Sequence, residues 1–254
     1  MKIFETHAHL DFSQYNKDRE QVLQNCFKNG VEYIINVGVE QKTCRQSIAL
    51  AEKYEQIFAA VGFHPHDAKK YDSNFLLKIA RHPKVVAIGE IGLDFYRDLS
   101  PRDIQRNVFE EQVKIALELE LPIIVHDREA HDDCFDILSR YNPEKVVFHC
   151  FSGDEIFAEK VVEKGWYISF TGSITYRNYN LENVIRLVPP DRFFIETDSP
   201  YLTPVPMRGK RNSPLFLRYV IEKIADIRGI SPRQVAEITY CNACNFFLVG
   251  KKNS

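Results

Sequence analysis

Lys2-Ile3-Phe4-Glu5-Thr6-His7-Ala8-His9 is the stretch on which the fold turns. Its first half reads as a buried strand, and the turn after that strand separates two architectures. A doubly wound open sheet puts a glycine-rich phosphate turn after its first strand. Here the turn is Thr6-His7-Ala8-His9, with imidazoles where glycines would stand. A first strand that ends in chemistry suits a (β/α)₈ barrel, whose active sites are built at the C-terminal strand ends.

The rest of the chain keeps the same rhythm. Apolar, β-branched runs at 2–6, 33–37, 58–62, 85–89, 123–125, 146–148, 166–170 and 193–195 alternate with helical patterns, and that alternation implies a parallel sheet covered on both faces. Eight runs is the barrel count. Between the fourth and fifth, Ile104, Val108, Phe109, Val113, Ala116 and Leu117 recur at spacings of three and four, one apolar stripe that Leu121-Pro122 ends. Ser100 should cap this helix, with Pro101 at its first position and Asp103 facing the positive end of the dipole. Ser231-Pro232-Arg233-Gln234 repeats that pattern near the C-terminus. Two helices after the eighth strand, one with Leu217, Val220, Ile221 and Ile224 inward and the other with Val235 and Ile238, should complete the outer ring. The expected fold is an α/β TIM barrel, a single domain over 1–254 with extra C-terminal helices.

Composition narrows function. The chain has 254 residues, 44% of them apolar, and 33 Lys+Arg against 35 Asp+Glu for a formal net charge of −2. Disorder, collagen and a disulfide scaffold are excluded. A near-neutral chain is not held to nucleic acid by its overall field, so any such contact must be local. Glu5 comes too early for a signal peptide and no apolar run reaches the ~18 residues of a spanning helix; the expected location is cytoplasmic, away from membranes, as a monomer. Cys26, Cys44, Cys134, Cys150, Cys241 and Cys244 have no framework spacing and read as buried thiols of a reducing compartment. Cys241-Asn242-Ala243-Cys244 lacks a second pair and reads as two core-facing thiols.

His7 and His9, two apart, point to one side of the sheet. Glu90, His126, His149 and Asp198 each fall where a strand ends. A barrel gathers such positions at one mouth, and buried imidazoles and carboxylates crowded there are costly unless a cation sits among them. Six ligands exceed one tetrahedral ion and a carboxylate is the usual bridge, so the count fits two divalent ions with Glu90 between them. Imidazole and carboxylate without thiolate suit Zn, Mn, Fe or Co and tolerate Mg. Cys150, next to His149 on the strand, should point into the wall. His64 and His66 flank Pro65, which fixes a turn; His64 is read as a substrate contact or a support for the ligands. His82 and His131 read as surface residues.

Thr6-His7-Ala8-His9-Leu10-Asp11, Gly89-Glu90-Ile91-Gly92-Leu93-Asp94-Phe95-Tyr96, Val125-His126-Asp127-Arg128, His149-Cys150-Phe151-Ser152-Gly153 and Glu196-Thr197-Asp198-Ser199-Pro200-Tyr201-Leu202 resemble, in order, the signatures of the TatD family of metal-dependent deoxyribonucleases. The resemblance covers nearly the whole chain. It implies an amidohydrolase-like TIM barrel in which His7, His9, Glu90, His126, His149 and Asp198 bind divalent metal. It also implies hydrolysis of DNA phosphodiesters, as a 3′–5′ exonuclease on single strands or ends. Two positions depart from the family pattern: Glu5 stands where Asp is common, and Met207 where His is frequent. Related barrels bridge their metals with a carboxylated lysine after the fourth strand, the place Glu90 takes here. On this reading Asp198 and Glu90 are catalytic, with Asp198 orienting or deprotonating a water made acidic by the metals. Arg128, Arg208, Lys210 and Arg211 would hold flanking phosphates. The rival readings are a hydrolase of small esters or amides and a barrel whose metals are structural; short connections and a full ligand set favour the nuclease.

Overall fold

Each of the eight apolar runs forms a strand in the computed structural model, which describes residues 1–247; residues 248–254, the end of the expected domain, lie outside the described residues. The strands are β1 (Ile3–Ala8), β2 (Val31–Val37), β3 (Ile57–Val61), β4 (Val85–Asp94), β5 (Ile123–Arg128), β6 (Val146–Phe148), β7 (Tyr167–Phe170) and β8 (Phe193–Ile195). All neighbours pair in parallel in chain order, and an Ala8–Ser199 bridge brings the two ends together. Helices α1 (Arg19–Lys28), α2 (Gln41–Lys53), α3 (Ser73–Ala80), α4 (Arg102–Glu118), α5 (His131–Tyr141), α6 (Glu155–Glu163) and α7 (Glu182–Leu187) fill the connections, and α8 (Leu217–Arg228) and α9 (Pro232–Phe247) come after β8. This is a TIM barrel.

Side-chain alternation along the strands makes two cores. Phe4, Ile35, Val37, Ala60, Ala87, Ile124, Val147 and Phe194 form the buried interior of the barrel. Their chain neighbours Ile3, Ile34, Ala59, Ile88, Ile123, Val146 and Phe193 belong to the layer under the helices. Local signals start the helices: Asp72 accepts from Phe75 N–H at 2.9 Å, Asp154 from Phe157 N–H at 2.9 Å, and Ser231 and Gln234 cap α9 reciprocally.

Three expectations change. Ser100 does not cap α4: its hydroxyl donates to the His66 carbonyl at 2.9 Å, and the helix begins at Arg102 with Pro101 in the capping position. Leu117 lies outside the α4 stripe and is exposed, because that helix buries Val108, Phe109, Val113 and Ala116 instead. The third concerns α9. Only its start joins the outer layer, through Val235 and Ala236, whereas Ala243, Phe246 and Phe247 enter the barrel interior. Phe246 packs on Phe194 and Tyr167, Phe247 on Phe4, and Lys145, at the start of β6, donates to the Phe246 carbonyl. The helix is a stopper for the N-terminal end. Its buried stripe also explains why Cys241 is exposed and Cys244 half-buried rather than both facing the core.

Truncating the stopper should empty space that nothing else can fill. Phe246→Ala is expected to cost about 3–5 kcal/mol in chemical denaturation, with divalent-metal content by elemental analysis unchanged, since the candidate site is at the other end.

Candidate metal centre

Irregularities in two strands aim the central side chains. The β1–β2 register slips between Glu5 and Ala8, and the β4–β5 register between Ile88 and Ile91; such slips turn a side chain out of its ladder position. His7 and Glu90 sit in them. Gly92 lets β4 lie against His126: its φ is +142°, and a β-carbon there would come within 2.0 Å of the His126 carbonyl oxygen. The seam between β1 and β8 sets the rest. Asp198 N–H donates to the His7 carbonyl at 3.0 Å and His9 N–H to the Ser199 carbonyl at 2.8 Å. Beneath them the buried Glu5 carboxylate accepts from His7 N–H, Thr197 N–H and the Thr197 hydroxyl at 3.1, 3.0 and 2.6 Å. Burial pushes the Glu5 carboxyl up to about 8 in spite of those bonds.

Glu90 is the hub. Its Oε1 lies 2.6 Å from His126 Nδ1, 2.9 Å from His149 Nε2 and 3.4 Å from His64 Nε2. Its Oε2 faces His7 Nε2 at 3.5 Å and His9 Nε2 at 3.8 Å. On that second side His7 Nε2 and His9 Nε2 are 3.2 Å apart, with Asp198 Oδ1 at 3.8 and 3.4 Å from them. Burial alone would raise the Glu90 carboxyl, but the charge of His149 and the hydrogen bonds from His126 and His149 hold it well below the carboxylate range. Asp198 is likewise lowered, burial being outweighed by the His9 hydrogen bond and the neighbouring imidazoles. Burial opposes a proton on His9, yet Asp198 and Glu90 carry it up to about 9.

All six sequence-predicted ligands therefore converge, and their chemistry fits divalent metal. His9 Nδ1 is taken by the Val37 carbonyl at 2.8 Å and His149 Nδ1 by Glu196 at 3.2 Å. Each keeps Nε2 for the centre, the outer-partner pattern of metal-binding histidines. His7 Nδ1 is buried with no partner among the described residues. Three donor groups could hold an ion: His7, His9 and Asp198; His64, Glu90 and His126; and His7, His149 and Glu196. His64 is thus closer to the centre than a substrate contact need be. Its Nδ1 accepts from His66 N–H at 3.1 Å, so a neutral ring presents N–H to Glu90. Burial, with the charge of His126, pushes it down to about 4 and keeps it neutral.

Sequence reasoning passed over Asp94 and Glu196. Asp94 Oδ2 takes His66 Nε2 at 2.8 Å and His126 Nε2 at 3.2 Å, while Glu196 Oε1 holds His149 and the Cys150 N–H. An even spacing like that of His7 and His9 also relates Glu90 to Asp94 and Glu196 to Asp198. Cys150 has φ +44°, past the end of β6, so strand alternation does not govern it; its Sγ rests 3.6 Å from Thr171 Oγ1, and burial pushes the thiol up to about 12.

The cations differ among themselves. Arg128 lies over the Tyr96 ring at 4.1 Å and Arg208 over Tyr176 at 4.0 Å, both exposed, as is Lys210. Arg211 departs from the phosphate-holding expectation: its guanidinium is committed to Asp18 at 2.7 and 2.8 Å and to the Gln14 carbonyl at 2.6 Å. His131 is half-buried at the surface, where it bonds Asp127 at 2.6 Å and stacks on Phe157. His82 is half-buried and accepts from Lys84 N–H. No helix among the described residues is long and apolar enough to cross a membrane.

The family model described as TatD related DNase matches residues 4–248. The chain belongs to the TatD family. This family comprises metal-dependent hydrolases: the chain is 41% identical over 253 residues to the uncharacterized metal-dependent hydrolase YabD of Bacillus subtilis, covering 97% of this chain and 99% of that protein. It is 34% identical over 258 residues to the 3′-5′ ssDNA/RNA exonuclease TatD of Salmonella typhimurium, with the same coverage. Its fold superposes on the crystal structure of YJJV, a TatD homologue from Escherichia coli, with a TM-score of 0.92 at 33% identity, covering 97% and 98% of the two chains.

If the TatD-type centre is organised by the Glu90 carboxylate, Glu90→Gln should reduce divalent-metal retention by at least about tenfold after dialysis, judged by elemental analysis against the range for lost ligand support. The barrel should still fold, by circular dichroism.

Proposed function

We propose that this chain is a divalent-metal-dependent deoxyribonuclease that removes nucleotides from the 3′ end of single-stranded DNA, with two ions on either side of Glu90. The observation that carries the reading is the division of donors between the two oxygens of one carboxylate, His126 and His149 on Oε1 and His7 and His9 on Oε2. Ions bound there would supply positive charge at the scissile phosphate and lower the pKa of a coordinated water from near 15.7 toward roughly 7. His7, His9, Asp198 and Glu90 would hold one, and Glu90, His126 and His149 the other, while His64 donates to Glu90 from its rim.

Asp198 opens 16% of its side chain to the mouth and is held ionised, so its carboxylate orients the attacking water and takes its proton. The water oxygen bonds to phosphorus as the P–O3′ bond breaks, and the departing sugar oxygen is protonated from solvent. Arg128, Arg208 and Lys210 face flanking phosphates. This local set reconciles a net charge of −2 with a polyanionic substrate. Arg128 and Arg208 beside the rings of Tyr96 and Tyr176 suit a strand of nucleotides better than a small neutral ester. Relatives named as exonucleases match over almost their whole length, and six free thiols fit a reducing cytoplasm.

The test is an end-labelled single strand incubated with Mg²⁺, Mn²⁺, Co²⁺ or Zn²⁺. A ladder of products shortened from the 3′ end is expected, and Asp198→Asn should lose at least about a hundredfold in kcat, the scale of a positioned proton acceptor. Brisk ester hydrolysis with intact DNA would overturn the reading. Salt gives a separate check: three mouth cations predict a slope of log kcat/KM against log salt of about −2, shallower by about 0.7 in Arg128→Ala.

A further inference from the structure

Half of the large apolar side chains exposed among the described residues stand on loops of the catalytic mouth: Tyr96 and Leu99 after β4, and Tyr201 and Val205 after β8. Three tyrosines line this rim, and two have a face covered. Arg128 lies over Tyr96 and Arg208 over Tyr176, but no cation among the described residues covers Tyr201, which is 49% exposed. Behind Tyr201 stands Phe12, ring to ring at 6.4 Å and 70°. Phe12 in turn lies parallel to the His9 imidazole at 4.7 Å. His9, Phe12 and Tyr201 thus form a continuous aromatic step from the metal centre to solvent.

The step is braced rather than loose. Arg19 grips the loop after β1 through the carbonyls of Leu10, Asp11 and Phe12 at 2.6, 2.9 and 3.3 Å. Asn212 holds the loop after β8 through the carbonyls of Thr197 and Tyr201. The loops are tied to one another by Tyr15, whose hydroxyl donates to the Asn212 carbonyl at 2.7 Å, and by Arg211, bound to Asp18 and stacked on Tyr15. A rigid, half-open ring beside a phosphate site loses little freedom when a flat ligand lands on it.

We propose that Tyr201, backed by Phe12, is the stacking platform for the 3′-terminal nucleobase, and that it sets the preference for an unpaired end. The inference rests on the nuclease reading above. A phosphate bound through a cation beside His7, His9 and Asp198 would have its own base toward Tyr201, which lies two ring contacts out from His9, at 4.7 and 6.4 Å. A paired terminal base is committed to its neighbour and its complement, whereas an unpaired one can swing onto the ring. Stacking tolerates any base, because each has a π face, so the platform selects strand state and not sequence.

The experiment compares kcat/KM for two single-stranded oligonucleotides, one ending in a normal 3′ nucleotide and one in an abasic sugar. Wild type should favour the base by about tenfold to a hundredfold, the worth of one stacked base. Tyr201→Ala should bring that ratio near one, mainly through KM, and Tyr201→Phe should keep it. Melting curves and metal content show that each variant is folded and loaded. A ratio unchanged in Tyr201→Ala, or near one in wild type, overturns the platform while leaving the nuclease in place. Failure of wild type to cut either oligonucleotide overturns both.

Discussion

One buried carboxylate governs this structure. Glu90 has two oxygens and five imidazoles around it, and a lone anion so placed would be costly without positive charge to match it. The barrel is arranged to meet that demand: β4 slips its register to bring Glu90 inward, β5 supplies His126 alongside, His149 follows β6 directly, and the end of β1 brings His7 and His9 to the other oxygen. The outer partners, Val37, Asp94 and Glu196, hold several of those rings by their far nitrogens, so that orientation is set before any ion arrives.

The β1–β8 seam does double duty. The hydrogen bonds that bring the ends of the barrel together are made by the backbone of His7, His9 and Asp198, and Glu5 beneath them ties β1 to Thr197. A TIM barrel must join its first and last strands to exist, and here the joint fixes His7, His9 and the proposed proton acceptor relative to one another. Glu5 reaches two donors of Thr197 across that joint and the His7 N–H on its own strand. At the opposite end the α9 phenylalanines fill the bottom, leaving the mouth as the place where polar groups and solvent meet.

Much of this was legible in the sequence because the barrel converts chain position into space. Eight apolar runs gave eight strands, and the six polar residues singled out at their ends converge at one mouth. The departures have physical causes that periodicity does not record. Ser100 does not cap α4 because its hydroxyl is committed to the His66 carbonyl, and α9 became a stopper because Phe246 and Phe247 fill the barrel end, a tertiary fact invisible in a local stripe. Arg211 was read by charge as a phosphate holder, but its partner Asp18 is 193 residues away in the chain. Asp94 and Glu196 could have been found by the same even spacing that exposed His7 and His9.

The central proposal is that Glu90 would serve two cation sites, one on each carboxylate oxygen. Anomalous diffraction from crystals of this protein grown with Mn²⁺ or Zn²⁺ tests it most directly. The account predicts two peaks flanking Glu90, one beside His7, His9 and Asp198 and one beside His126 and His149. A single peak, or a pair to which Glu90 contributes no oxygen, would contradict it.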